Sequence, residues 1–186
     1  AMRSAHGLFG MEWGSGEGES RFRHALIMAE RFDRMREQWP EMEGTMAQFG
    51  VQMIDNSVSS QWWKQILEHF VKVGDAFEIR CWKEERSEIE RASRYGRAAD
   101  DRYEVSVKGT VAKELLEEWL MEEPVDQDLY HKMTKYFTIH VKNERCDLWS
   151  EHYGTELVID IESAPDIDFF ERGMEPYSEH FSIGKS

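Results

Sequence analysis

The chain has 186 residues, with 23 Lys+Arg against 37 Asp+Glu and a formal net charge of -14. That balance argues against bare nucleic acid as a partner, because phosphate recognition needs a basic footprint. It argues against an anionic membrane surface for the same reason. An aromatic fraction of 12%, with 7 Trp and 10 Phe, is too rich for a disordered chain, and the length suits one domain.

In chain order, Ala1 ahead of Met2 reads as a cloning remnant, and residues 1–18 as a flexible, Gly-rich leader with Met11 as an alternative start. Phe22, Ala25, Leu26, Ala29 and Phe32 recur at helical spacing over 20–38, before Pro40. Residues 48–54 (QFGVQMI) predict a strand. Asn56, Ser57 and Ser59 offer caps for a helix over 58–73, with Trp63, Ile66, Leu67 and Phe70 on one stripe and Gly74 as its left-handed end. Phe77, Ile79 and Cys81 alternate with polar neighbours as a strand. The charged stretch 83–102 fits either a helix or a long hairpin, with Glu88–Arg91 and Glu90–Arg94 at helix-neighbour spacing. Tyr103, Val105 and Val107 predict a strand broken by Gly109. Thr110 then caps a helix through Met121 with Val111, Leu115 and Trp119 inward, and Pro124 marks its exit. Strands follow around Phe137–Val141 and Leu157–Ile161. Residues 165–186 form an acidic tail whose Phe169, Phe170, Tyr177 and Phe181 pack it onto the 19–164 domain. The expected fold class is α+β, a single domain with a mainly antiparallel sheet and two or three helices packed on it.

No apolar run approaches the ~20 residues of a membrane-spanning helix. Two cysteines, Cys81 and Cys146, are too few for a disulfide scaffold and fit buried thiols in a reducing cytoplasm. A Cys81–Cys146 bridge is the alternative, since both adjoin predicted strands.

A weak internal echo pairs Phe77 and Ile79 with Phe137 and Ile139, Glu85-Arg86 with Glu144-Arg145, and Tyr95-Gly96 with Tyr153-Gly154. It suggests a duplicated (β)αββ unit. That element order, with the run RYEVSVKGTVAKELLEEWL, resembles the gyrase-inhibitor-like effector-binding domains. The resemblance covers about two-thirds of the chain and carries no ligand residue. It implies a small-molecule pocket between two halves, for which Trp63, Trp82 and Trp119 are the candidate linings.

Catalytic motifs are missing from the sequence. Gly10, Gly14, Gly16 and Gly18 lack the strand and Lys-Ser/Thr of a phosphate loop, and no Gly-x-Ser-x-Gly elbow exists. Adjacent carboxylates such as Glu84-Glu85, Glu117-Glu118 and Glu122-Glu123 point apart on regular elements. His140, Cys146 and His152, with Asp147 and Glu151, lack the paired spacing of a zinc site. No catalytic residue, metal or cofactor is therefore assigned.

Charge distribution says more. Residues 1–109 carry 19 acids and 16 bases, a net of -3, whereas residues 110–186 carry 18 acids and 7 bases, a net of -11. Glu114, Glu117, Glu118, Glu122, Glu123, Asp126 and Asp128 run without an intervening base. A concentrated negative field of this kind speeds association with a basic partner. The expectation is a non-catalytic protein that neutralises a basic protein, as an immunity protein masks a toxin. These seven residues are the expected contact surface.

Overall fold

The computed structural model describes residues 46–55, 57–123 and 131–186. These belong to one compact unit, Gly44–Ser186. The proposed leader, the 20–38 helix, Asn56, Pro124, Asp126 and Asp128 lie outside the described residues.

Eight strands form one antiparallel sheet. They are β1 (Ala47–Met53), β2 (Ala76–Trp82), β3 (Gly96–Asp100), β4 (Glu104–Thr110), β5 (Thr138–Lys142), β6 (Cys146–Glu151), β7 (Glu156–Ile161) and β8 (Phe181–Lys185). Their order is β3-β4-β2-β5-β6-β7-β1-β8. The α-helices are α1 (Gln61–Phe70), α2 (Arg86–Ala92), α3 (Lys113–Met121) and α4 (Ala164–Met174). The α+β class holds, with four described helices in place of two or three.

Strand alternation creates the core. Val107, Ile79, Ile139, Ser150, Leu157, Val51 and Ile183 lie side by side across seven strands. Most of that row is apolar and buried, and the buried stripes of all four helices share one cluster with it. Ser150 is its polar member. The Trp63 indole N–H donates to Ser150 Oγ at 2.7 Å, so neither group is left unsatisfied. The same alternation turns Glu78, Arg80, Ser106, His140, Asp147 and Trp149 to the opposite face.

Each predicted strand has a counterpart, but several ends differ. α1 stops at Phe70 because Val71 is extended, and its N-cap is Ser60. Gly74 does have a left-handed φ of +100°, but in the turn to β2, where its N–H donates to Val111 O. Gly109 does not break β4. It pairs with Phe77 on one side and Gly96 on the other, and a Cβ there would meet the Tyr95 carbonyl oxygen at 2.6 Å. Because β4 continues through Thr110, α3 begins after Ala112 without a side-chain cap. The 83–102 stretch holds both alternatives in part, as the short α2 and then β3. The tail contributes α4 against α1 and β8 against β1, so a boundary at 164/165 would cut a helix.

Counting antiparallel steps, β1 and β2 run in one direction and β4 and β5 in the other. The crossovers β1-α1-β2 and β4-α3-β5 are thus similar units of opposite sense. The first spans three intervening strands and the second only β2. Ile79 and Ile139 of the sequence echo sit directly opposite each other. The other echoed pairs part company, because β2 leads into α2 and β5 turns tightly into β6.

Candidate functional site

The helix layer carries the charge. α1 lies between α3 and α4, in contact with both. A polar brace fixes α4 to α1. Asp166, in the first turn of α4, accepts from Arg145 and from Ser163 Oγ at 2.7 Å, and pairs with His69 of α1 at 2.8 Å. Arg145 also donates to the His69 carbonyl at 2.8 Å. The Arg145 hydrogen bond holds the Asp166 carboxyl far below the usual range. His69 stacks on Phe169 with centroids 3.5 Å apart. Ser163 bonds the carboxylate rather than the imidazole, so the group is a structural tie and not a nucleophile–base pair.

The structure divides the predicted acidic run. Glu114 and Glu117 are exposed on α3, Glu117 paired with Lys113 at 3.2 Å. Glu118 faces inward, with a side chain only 8% exposed. It accepts from Tyr136 OH at 2.8 Å, Tyr95 OH at 3.2 Å, Arg91 Nε at 3.1 Å and Lys135 at 2.7 Å. Burial opposes its ionisation, but hydrogen bonds from Lys135 and Tyr136 outweigh it and keep the carboxyl below its usual range. Glu122 is half-buried and shares Lys135 and Arg91. Glu123 binds Lys64 and Ser60 Oγ, and the Lys64 hydrogen bond lowers its pKa. Three members of the run are therefore neutralised by cations distant in sequence, which a count along the chain cannot register. Arg91 pairs with Glu118 instead of the expected Glu88, whereas Glu90 and Arg94 do pair.

Other carboxylates replace them on the outer surface. Glu68 of α1 and Asp168 and Glu171 of α4 are exposed, as are Glu175 and Glu179 just beyond. Arg172 pairs with Asp168 and Lys185 with Glu171. The helical period of α4 could have revealed this acidic face, had 164–174 been read as a helix instead of a tail.

The candidate tryptophans do not line one pocket. Trp63 and Trp119 are buried under the helices, Trp119 edge-on to Phe77 at 6.1 Å. Trp82 alternates to the other face, opposite Glu104, and contacts Phe137 at 4.6 Å. Phe137 also meets Tyr153, at 5.4 Å. The Tyr153 hydroxyl donates to Glu85 at 2.8 Å, and Glu85 accepts from the Trp82 backbone N–H at 2.8 Å. Burial raises the Glu85 carboxyl. His152, Tyr153 and Gly154 all have positive φ, of 49°, 60° and 83°. Such a run in non-glycine residues stores strain of the kind found at functional corners. Glu84 is exposed and shares none of this.

His140 and Cys146 lie on opposite sides of the sheet. His140 binds Asp147 at 2.7 Å and stacks on Trp149 at 3.7 Å, while Cys146 belongs to the core. No group able to hold a metal occurs among the described residues. Cys81 and Cys146 are both free and buried, which raises both thiols, Cys146 to about 12. They sit on β2 and β6 with β5 between. No helix among the described residues is long and apolar enough to cross a membrane.

The class defined so far is an α+β protein with an eight-stranded antiparallel sheet and an acidic helical layer. Comparison with protein-family models, curated proteins and solved structures gives no match.

Proposed function

We propose that this protein acts by binding a basic protein across its acidic helix layer, without catalysis, in the manner of a cytoplasmic immunity protein that masks a toxin. The observation that carries the reading is the set of exposed carboxylates Glu68, Glu114, Glu117, Asp168, Glu171 and Glu175, drawn from three adjacent helices and the end of α4. Only some are balanced locally, by Lys113, Arg172 and Lys185. Glu118 and Glu122 anchor α3 through Arg91 and Lys135 and offer little charge to a partner, whereas Glu123, paired with Lys64, keeps its side chain 72% exposed. Fields of this kind act on encounter rate and partner choice.

The test is capture from extracts of the source organism with the wild type and the triple variant Glu68→Lys, Glu114→Lys, Glu117→Lys. A control reverses Glu84, Asp100 and Asp101, which are exposed but lie on none of the helices. The expected result is a basic protein retained by wild type and control at low salt and lost by the helix-layer variant. Equal retention by all three overturns the reading.

A second reading is supported by the Trp82–Phe137–Tyr153 cluster around the half-buried Glu85. An aromatic corner with one desolvated carboxyl suits a cation, and Lys132 Nζ already lies 4.1 Å from the Tyr153 ring centroid, so an apolar cation would bind by displacing it, in line with the resemblance to effector-binding domains and a duplicated unit. Trp63 and Trp119 take no part in it. Thermal-shift measurement with hydrophobic cations separates the readings, because a specific ligand raises the melting temperature by mass action.

A further inference from the structure

Among the described residues the sheet ends on β3 and β8. The two edges are built differently. β3 is exposed from Arg97 to Asp100 and carries charge, with Asp100 paired to Lys83, the usual protection of an edge. β8, of the same length, carries Ile183 at 39% exposure and lies beside an apolar pocket of about 220 Å3. Phe49, Phe170, Met174 and Ile183 line that pocket, with Glu171 and Glu175 on its border. Lys185 reaches over Phe49 to Glu171.

The ladder shows which backbone groups of β8 have no partner among the described residues. Ser186 and Gln48 exchange both of their hydrogen bonds, at 3.0 and 3.1 Å. In an antiparallel pair such residues recur every second position. Gly184 and Ser182 therefore also face β1, opposite Gly50 and Gln52. The N–H and C=O groups of Ile183 and Lys185 then point away from the sheet. Outward strand groups unpaired by any described residue, beside an apolar pocket, are the two elements by which an added strand is recognised.

We propose that β8 is the docking edge for an extended segment of the basic partner, which pairs with Ile183 and Lys185 and inserts one apolar side chain into the Phe49–Phe170–Met174 pocket. This rests on the reading of the protein as a binder of a basic protein. Side chains two apart in the added strand face the helix side together. The apolar residue is thus flanked by residues that meet Glu171 and Glu175 on the border of the pocket. Glu175 is in no ion pair with a described residue, so Lys or Arg at those flanking positions complements it. A second copy of this chain fits less well, because edge-to-edge pairing would bring each acidic α4 terminus towards its equivalent.

The probe is a capped peptide, Thr-Lys-Thr-Leu-Thr-Lys-Thr, titrated into the full 15N-labelled chain. A peptide with Glu in place of both Lys serves as control. Expected are amide shifts concentrated on residues 181–186 and 174–178, and binding of the Lys peptide at least about tenfold tighter than the Glu peptide. Ile183→Pro removes an outward N–H without touching the ladder to β1, and should weaken the Lys peptide about tenfold. Should that variant disturb β8 itself, Ile183→Lys sets a like charge beside the peptide and is expected to weaken it similarly. No binding, equal binding of both peptides, shifts centred elsewhere, or unchanged affinity in these variants overturns the proposal. If capture of the basic protein depends on the helix-layer carboxylates but survives Ile183→Pro, the docking mode falls and the binding reading stands. If the peptide binds β8 while capture ignores those carboxylates, the reverse holds.

Discussion

On the helix-covered side of the sheet, Val107, Ile79 and Ile139 lie in register with no exposure at all. One residue along the same strands, Lys108, Glu78 and His140 form the matching row on the opposite side. There Glu78 accepts from Arg80 at 2.7 Å and Ser106 at 2.8 Å, and Lys108 lies at 3.1 Å. Asp147 accepts from His140 and Lys142, each at 2.7 Å. Burial works against both carboxylates, yet these partners keep each below its usual range. Period-two alternation thus yields a dry face held by area and packing, and a polar face held by mutual satisfaction. The first gains from every methylene removed from water. The second chiefly avoids the cost of stranded charge.

Truncating the dry face should therefore do the most damage. Phe70 of α1 has no exposure and contacts His69 and Phe169. Phe70→Ala should cost about 3–5 kcal/mol through lost transfer energy and the cavity left behind, read as a fall in the urea midpoint. A loss of less than about 1 kcal/mol would mean that the helix layer collapses onto the sheet more readily than close packing permits.

The polar face should respond less, and only at some pH values. A carboxyl whose folded pKa is depressed stabilises the fold above its unfolded pKa and loses that contribution as pH falls through the folded value. Asp147 is such a group. Asp147→Asn should cost about 1–2 kcal/mol at neutral pH. The cost is tempered because Asp160, directly opposite on β7, is raised by burial and by the Asp147 charge and would be relieved. As acid protonates the wild-type carboxyl, the two proteins should converge. Denaturant curves for both, taken from neutral pH down to the lowest pH at which each still folds, check this. A gap that persists in acid would show that shape, not charge, is what Asp147 supplies.

This contrast also explains what was legible in the sequence. The dry face announces itself by alternation, so β1, β2, β4, β5 and β7 were visible as short apolar periods. β6 (CDLWSE) hides because its inward set includes Ser150, whose partner Trp63 is 87 residues away. α4 hides because a Pro and three acids sit among its 11 residues. The acidic surface was legible only as a local excess of charge. Which carboxylates remain free was decided by Lys64, Arg91 and Lys135, brought in by tertiary folding. The β8 edge gave no signal, since Phe-Ser-Ile-Gly-Lys is too short to declare a period.

The smallest structural effect separates charge as stability from charge as function. Lys113 is the first residue of α3, and both it and Glu117 are largely exposed, with side chains 75% and 58% accessible. Exposed pairs of this spacing contribute only about 0.3–0.5 kcal/mol, and less with the cation placed first. A cation at a helix N-terminus also opposes the macrodipole, which offsets part of the pairing. Lys113→Ala should therefore leave unfolding free energy within about 0.5 kcal/mol of wild type. It removes the positive charge that pairs with Glu117 and adjoins Glu114, so the field of the helix layer deepens. If that field steers a basic partner, association should quicken at low ionic strength and return to the wild-type rate as salt shortens the Debye length. Stopped-flow rates across a salt series, paired with urea curves, read the two quantities independently. An on-rate that does not change, at unchanged stability, would count against the helix layer as the steering surface.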